Sequence, residues 1–142
     1  MKVVIDTNVL FSAAYRIGSV PFQVLIKATE PPYTSLICTQ SIDELRRKFK
    51  EKYPNRADEI EVFICYLESS IEIIPIPDIE HPDEVKLRDP DDATILRAAI
   101  AAGAEIIISN DLDFLESGIT NPKIVSIAQF YDMKNPYSGI EQ

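Results

Sequence analysis

Four acids in this chain, Asp6, Glu44, Asp92 and Asp111, are spaced so that one divalent cation site could collect them. Asp6 ends the apolar run KVVID, Glu44 lies in SIDEL, Asp92 in DPDDA, and Asp111 follows EIIISN. Hard cations such as Mg²⁺ or Mn²⁺ take carboxylate oxygens as ligands. Carboxylates gathered without a cation repel one another, and some must then stay protonated. Each acid also has a purely local explanation. Asp6 can cap a strand-to-helix turn. Ser41-Ile42-Asp43-Glu44 fits a capping box, in which the glutamate reaches back to the first amide. Asp89-Pro90-Asp91-Asp92 is a good helix start, with an aspartate cap, proline at the first position and acids favoured by the helix dipole. Asp111 can cap the short segment DLDFLES. What capping leaves unexplained is the joint pattern, in which all four fall at a strand end or in the first turn of the next helix.

The elements that must position these acids alternate along the chain. Lys2 to Asp6 is a short apolar strand, and Val9 to Tyr15 and Pro21 to Thr29 are helices. Tyr33 to Thr39 is a second strand after the Pro31-Pro32 break. Ser41 to Lys52 is a helix with Ile42, Leu45 and Phe49 on one face and Arg46, Arg47, Lys48 and Lys50 elsewhere. A further helix runs from about Ala57 to Ser70, and Ile71 to Ile76 forms a third strand. Asp78 to Arg88 is a polar surface loop. Pro90 to Ala102 is an apolar helix stopped by Gly103. Glu105 to Ser109 and Lys123 to Ser126 complete a set of about five strands, with a short helix or turn at Asp111 to Leu115. Short apolar strands alternating with longer helices predict an α/β fold, a mostly parallel sheet with helices on both faces. Such sheets bind ligands beyond the carboxyl ends of their strands, which is where the four acids would lie. A domain over residues 1–134 and a frayed tail from Asn135 onward complete the expected organisation.

The chain has 142 residues, enough for one core. Hydrophobic residues are 46% and charged residues 26% of it, as in an ordinary globular protein. No apolar run approaches the roughly 18 residues of a membrane span, and MKVVIDTNVL is not a signal peptide. The expected compartment is the cytoplasm. Cys38 and Cys65 read as buried, reduced hydrophobes, and His81 is the single histidine, so a zinc site is not expected. The net charge of −9 disfavours a binder that depends on phosphate neutralisation by its own cations. It is explained either by solubility or by negative charge concentrated where cations bind. The glycine loops GxxxxGK[ST] and GxGxxG are absent, DTN lacks the second aspartate of a DxD phosphatase motif, and a lone histidine does not make a triad hydrolase.

From VVIDTNVL through SIDELRRK and RDPDDATILRAAIAAGAEIIISNDLDFL to KIVSIAQF, the chain resembles the PIN-domain ribonucleases. The likeness is to the branch of VapC-like toxin components of toxin–antitoxin pairs. It implies a three-layer α/β/α sandwich and metal-assisted cleavage of RNA phosphodiesters by one or two Mg²⁺ or Mn²⁺ ions. It also implies that Asp6, Glu44, Asp92 and Asp111 are the catalytic and metal-binding acids, with Glu44 on a second ion or orienting the attacking water. Thr7, Asn8, Asp89, Ser109 and Asp113 would support them, and the ligand within Asp89, Asp91 and Asp92 stays open. Arg46, Arg47, Lys48 and Lys50 would either steer RNA or form a solvated helix face. An antitoxin partner and a homodimer are further family expectations. The alternative from another class is a non-catalytic scaffold of the same fold that binds RNA or a protein partner.

Overall fold

The computed structural model describes residues 1–134; the tail expected to fray, 135–142, lies outside the described residues. The chain opens with strand β1 (Lys2–Ile5), followed by helices α1 (Thr7–Tyr15) and α2 (Val20–Thr29). Strand β2 (Thr34–Cys38), helices α3 (Thr39–Lys52) and α4 (Ala57–Ser70), and strand β3 (Glu72–Ile74) come next. Helix α5 (Pro90–Ala101), strand β4 (Ile106–Ile108), helix α6 (Leu112–Leu115), strand β5 (Lys123–Val125) and helix α7 (Ile127–Asp132) complete the order. The five strands are all parallel, in the order β3-β2-β1-β4-β5. The chain therefore starts in the centre, builds outward to one edge, and crosses back through α5 to place β4 beside β1.

Alternation along the central strand divides the core in two. Val3 and Ile5 point to one face of the sheet and Val4 to the other, as the period-two geometry of a strand requires. The first face packs against α1, α2, α3, α4 and α7 through residues such as Leu10, Leu25, Phe49, Ile64 and Phe130. The second packs against α5 and α6 through Ile95, Leu96, Ala99 and Phe114. This is the three-layer α/β/α arrangement expected from the alternating elements. Pairing of Ile5 with Ile108 brings the carboxyl ends of β1 and β4 level. Gly103, at φ +75°, takes the left-handed conformation that ends α5.

Four local expectations need correction. Helix α3 begins at Thr39 and is preceded by Cys38, which makes no side-chain cap bond. Ser41 is therefore inside the helix and buried, the Ser41–Glu44 capping box does not form, and Glu44 belongs to the second turn. Cys65 is exposed, because the core face of α4 is formed by Ile60, Phe63, Ile64 and Leu67 and Cys65 lies off it. The segment Asp78 to Arg88 is more than a loop. It contains a 3₁₀ turn, Pro82–Lys86, and Arg97 of α5 pins that turn through Glu84 at 2.8 Å. Helix α7 follows directly on β5, capped by Ser126 and Gln129, where no separate helix was expected.

Candidate metal centre

The crevice lies where the chain reverses direction across the sheet, beyond the carboxyl ends of β1 and β4, the usual place for ligands in such folds. Asp6 is the first residue past β1 and caps α1. It is 3% exposed. Its Oδ1 accepts the Thr7 amide at 2.8 Å, and its Oδ2 accepts the Asn8 side-chain amide at 2.9 Å and the Ser109 hydroxyl at 2.7 Å. Burial pushes its pKa up to about 6 against the pull of the Ser109 and Thr7 hydrogen bonds, and the charges of Asp111 and Glu44 push the same way.

Ser109 ties the β4 side of the crevice to Asp6. Its hydroxyl also accepts the Asp111 amide at 3.0 Å. Asn8 makes a parallel link, with its side-chain oxygen accepting the Asn110 amide at 3.3 Å. Asn110 in turn accepts the first amide of α7, that of Ile127, at 2.8 Å. The loops after β1 and β4 are thus laced together by short polar side chains. Asp111 caps α6 by accepting the Asp113 amide at 2.9 Å.

The third wall is the start of α5. Asp89 caps the helix by accepting the Asp91 amide at 2.9 Å. Asp113 reaches across from α6, and its carboxylate accepts the amides of Arg88 at 2.9 Å and Asp89 at 3.0 Å. Asp92 is 4% exposed, and its Oδ2 has no hydrogen-bond partner. Burial, followed by the charges of Asp6, Asp111 and Asp89, pushes its pKa up to about 9. One oxygen each from Asp89, Asp92 and Asp111 lies within 4.8 Å of the others. Gln40 of α3 donates to the Thr94 hydroxyl at 2.6 Å, stapling α3 to α5 across the crevice. Glu44 stands on this opposite wall and pairs with Lys48 at 2.6 Å.

Together these elements enclose a cleft of about 600 Å³. Asp6, Thr7, Asn8, Glu44, Asp89, Asp91, Asp92 and Asp111 all line it, and so does Lys48. The other expected cations are not among its lining residues. Arg46 and Lys50 both pair with Glu61 of α4, at 2.9 and 2.8 Å, and Arg47 pairs with Glu51 at 3.6 Å. Reading the sequence missed Lys52 and Phe11, which line the same cleft. Lys52 follows Lys48 by one helical turn, so helical spacing from Glu44 through Lys48 was the signal that could have found it.

A family model described as PIN domain matches residues 2–113. This chain belongs to the PIN-domain family. No curated protein matches it by sequence. Among solved structures it is similar to VapBC2 from Rickettsia felis, a complex bound to a DNA fragment of its promoter. That likeness has TM-score 0.69 and 18% identity, covering 89% of this chain and 98% of the other. It is also similar to Mycobacterium tuberculosis VapC20, a Sarcin-Ricin loop cleaving toxin, with TM-score 0.59 and 14% identity. There the match covers 83% of this chain and 96% of the other. At these identities the likeness is one of fold.

The donor set of this PIN domain suits a hard divalent cation. All the clustered ligand atoms are carboxylate oxygens. Two residues that line the cleft, Asp92 and Thr7, each carry a buried oxygen, Oδ2 and Oγ1, that lacks any hydrogen-bond partner. A buried, unpaired carboxylate oxygen is costly unless a cation or donor meets it.

Proposed function

We propose that this PIN domain is a metal-dependent endoribonuclease and the toxin component of a toxin–antitoxin pair. The observation that carries the reading is Asp92, a buried carboxylate with an unpartnered oxygen set among the carboxylates of Asp6, Asp89 and Asp111. Asp6, Asp92 and Asp111, with Glu44, would hold one or two Mg²⁺ or Mn²⁺ ions, and Asp89 stands close enough to join them. Such an ion supplies a water of lowered pKa and polarises the scissile phosphate.

The chain's own groups do the rest. Ser109 and Asn8 fix the orientation of Asp6, so its oxygens do not rotate away from the cleft. Glu44 accepts a proton or orients the attacking water from the opposite wall. Lys48 and Lys52 meet the phosphate on that side. Hydrolysis of this class leaves a 5′-phosphate and a 3′-hydroxyl. The likeness to VapBC2 supports an antitoxin partner, and a homodimer and a cytoplasmic setting belong to the same reading. Among the described residues no single helix is long and apolar enough to cross a membrane.

The test uses purified protein with structured and single-stranded RNA in Mg²⁺, Mn²⁺ or chelator, alongside Asp6→Asn. Cleavage is expected with metal only, and Asp6→Asn should lower it at least about 100-fold. Absence of cleavage in every metal, or full cleavage by Asp6→Asn, would refute the reading.

A further inference from the structure

A second cleft of about 480 Å³ opens on the far side of Asp89 and Asp111. Those two acids line both clefts, so they form a ridge shared by the two. The second cleft adds Lys86, Arg88, Leu112 and Glu116. Its chemistry differs from the first. Among the described residues the Arg88 guanidinium makes no hydrogen bond or ion pair, and Lys86 has only an exposed pair with Asp83 at 3.4 Å. Asp113 uses its carboxylate on the amides of Arg88 and Asp89, so outside the shared Asp89–Asp111 ridge Glu116 is the acid of this cleft that faces its two cations.

Arg88 is therefore an uncommitted cation on a backbone that is already fixed. The same Asp113 carboxylate holds the Asp89 amide, so the backbone that carries Arg88 is tied to the backbone of the acid ridge. A planar guanidinium in that position suits a phosphate oxygen pair. Leu112, 64% exposed beside it, offers an apolar surface to a base. The cations of the first cleft, Lys48 and Lys52, stand on α3, a different element on the other side of the ridge.

We infer that the second cleft is a nucleotide subsite, in which Arg88 and Lys86 hold the backbone of single-stranded RNA beyond the scissile phosphate. This inference rests on the nuclease reading and extends it. The strand crosses the Asp89–Asp111 ridge, with Lys48 and Lys52 on one side of the cut and Arg88 and Lys86 on the other. A substrate must then extend on both sides of the bond that breaks.

The experiment compares the wild-type chain, the double variant Lys86→Ala/Arg88→Ala, and Glu116→Gln. Binding is read by anisotropy of a labelled single-stranded RNA in Ca²⁺, and cleavage as single-turnover kinetics in Mn²⁺. All three side chains are surface groups, and melting curves check that the variants fold. The double variant is expected to raise both Kd and the half-saturating concentration roughly 10-fold, with a maximal rate within about twofold. It should also reduce the salt slope of binding by about 2. Glu116→Gln should shift Kd the other way, about two- to threefold tighter. If the wild type cuts RNA while the double variant keeps its half-saturation and salt slope, the subsite is refuted and the nuclease reading stands. If the wild type binds RNA without cutting it and the double variant binds more weakly, the nuclease reading fails and the subsite stands. A double variant that loses only maximal rate also refutes the subsite, because Arg88 then acts at the reacting phosphate.

Discussion

Asp6 and Asp92 are buried acids whose protonated forms the metal-free fold favours. Their pKa values stand at about 6 and about 9, above the ordinary 3.8. Between pH 4 and pH 9 the folded state therefore binds more protons than the unfolded chain, so stability falls as pH rises. The Asp6 share is lost by about pH 6, and the Asp92 share continues to fall up to about pH 9. Metal-free protein should consequently melt at a higher temperature at pH 5 than at pH 8. Asp92→Asn removes the cost of taking up a proton on folding and should raise the metal-free Tm at pH 8, by about 1–3 kcal/mol of stability, while flattening the slope above pH 6. A Tm at pH 8 that is lowered or unchanged in Asp92→Asn would contradict this account of the buried carboxylate. The positions of Asp6 and Asp111 were legible in the sequence because Asp6 directly follows an apolar strand run and Asp111 comes just after another, beyond Ser109 and Asn110. Glu44 was harder to place. Ser41 three residues before it imitates a capping box, and nothing local reveals that α3 starts at Thr39, immediately after β2.

At the scale of elements, the acids are held by links that join the ends of different segments. Asp113 is the clearest case. It belongs to the first turn of α6 but satisfies two amides just before α5. Asp113→Ala should leave those amides without a protein acceptor. Hydrogen exchange at Arg88 and Asp89 should then quicken by at least about tenfold, a local opening cheaper by about 1–2 kcal/mol. Unchanged protection at both amides would show that the loop is held by other contacts. This link could not be read from the sequence, because it joins a side chain to backbone amides 24 and 25 residues away. The sheet itself was legible, since runs such as KVVI and III between helical segments allow few arrangements other than parallel strands. Helix α7 was hidden because its six residues directly follow β5 and are too few to show a helical period.

For the molecule as a whole, the charge of −9 ceases to conflict with a nucleic-acid substrate once its distribution is considered. Several of the acids are gathered in a single cleft. A divalent ion that binds the folded chain and not the unfolded one stabilises it by mass action. Millimolar Mn²⁺ should therefore raise the Tm at pH 8 by several degrees, equivalent to about 2–3 kcal/mol at a hundredfold excess over the dissociation constant. The gain should vanish in Asp92→Asn. A melting curve indifferent to metal would remove the basis for a metal centre.

The Ser109 hydroxyl meets a carboxylate 103 residues earlier in the chain, and it does so because β4 inserts beside β1. During synthesis the ribosome must therefore extend the chain through β4 before Asp6 can meet Ser109. A nascent or prematurely terminated chain ending before β4 lacks the second half of the crevice and has nowhere to assemble it. The topology thus defers assembly of the whole crevice until β4 has been made and has inserted beside β1.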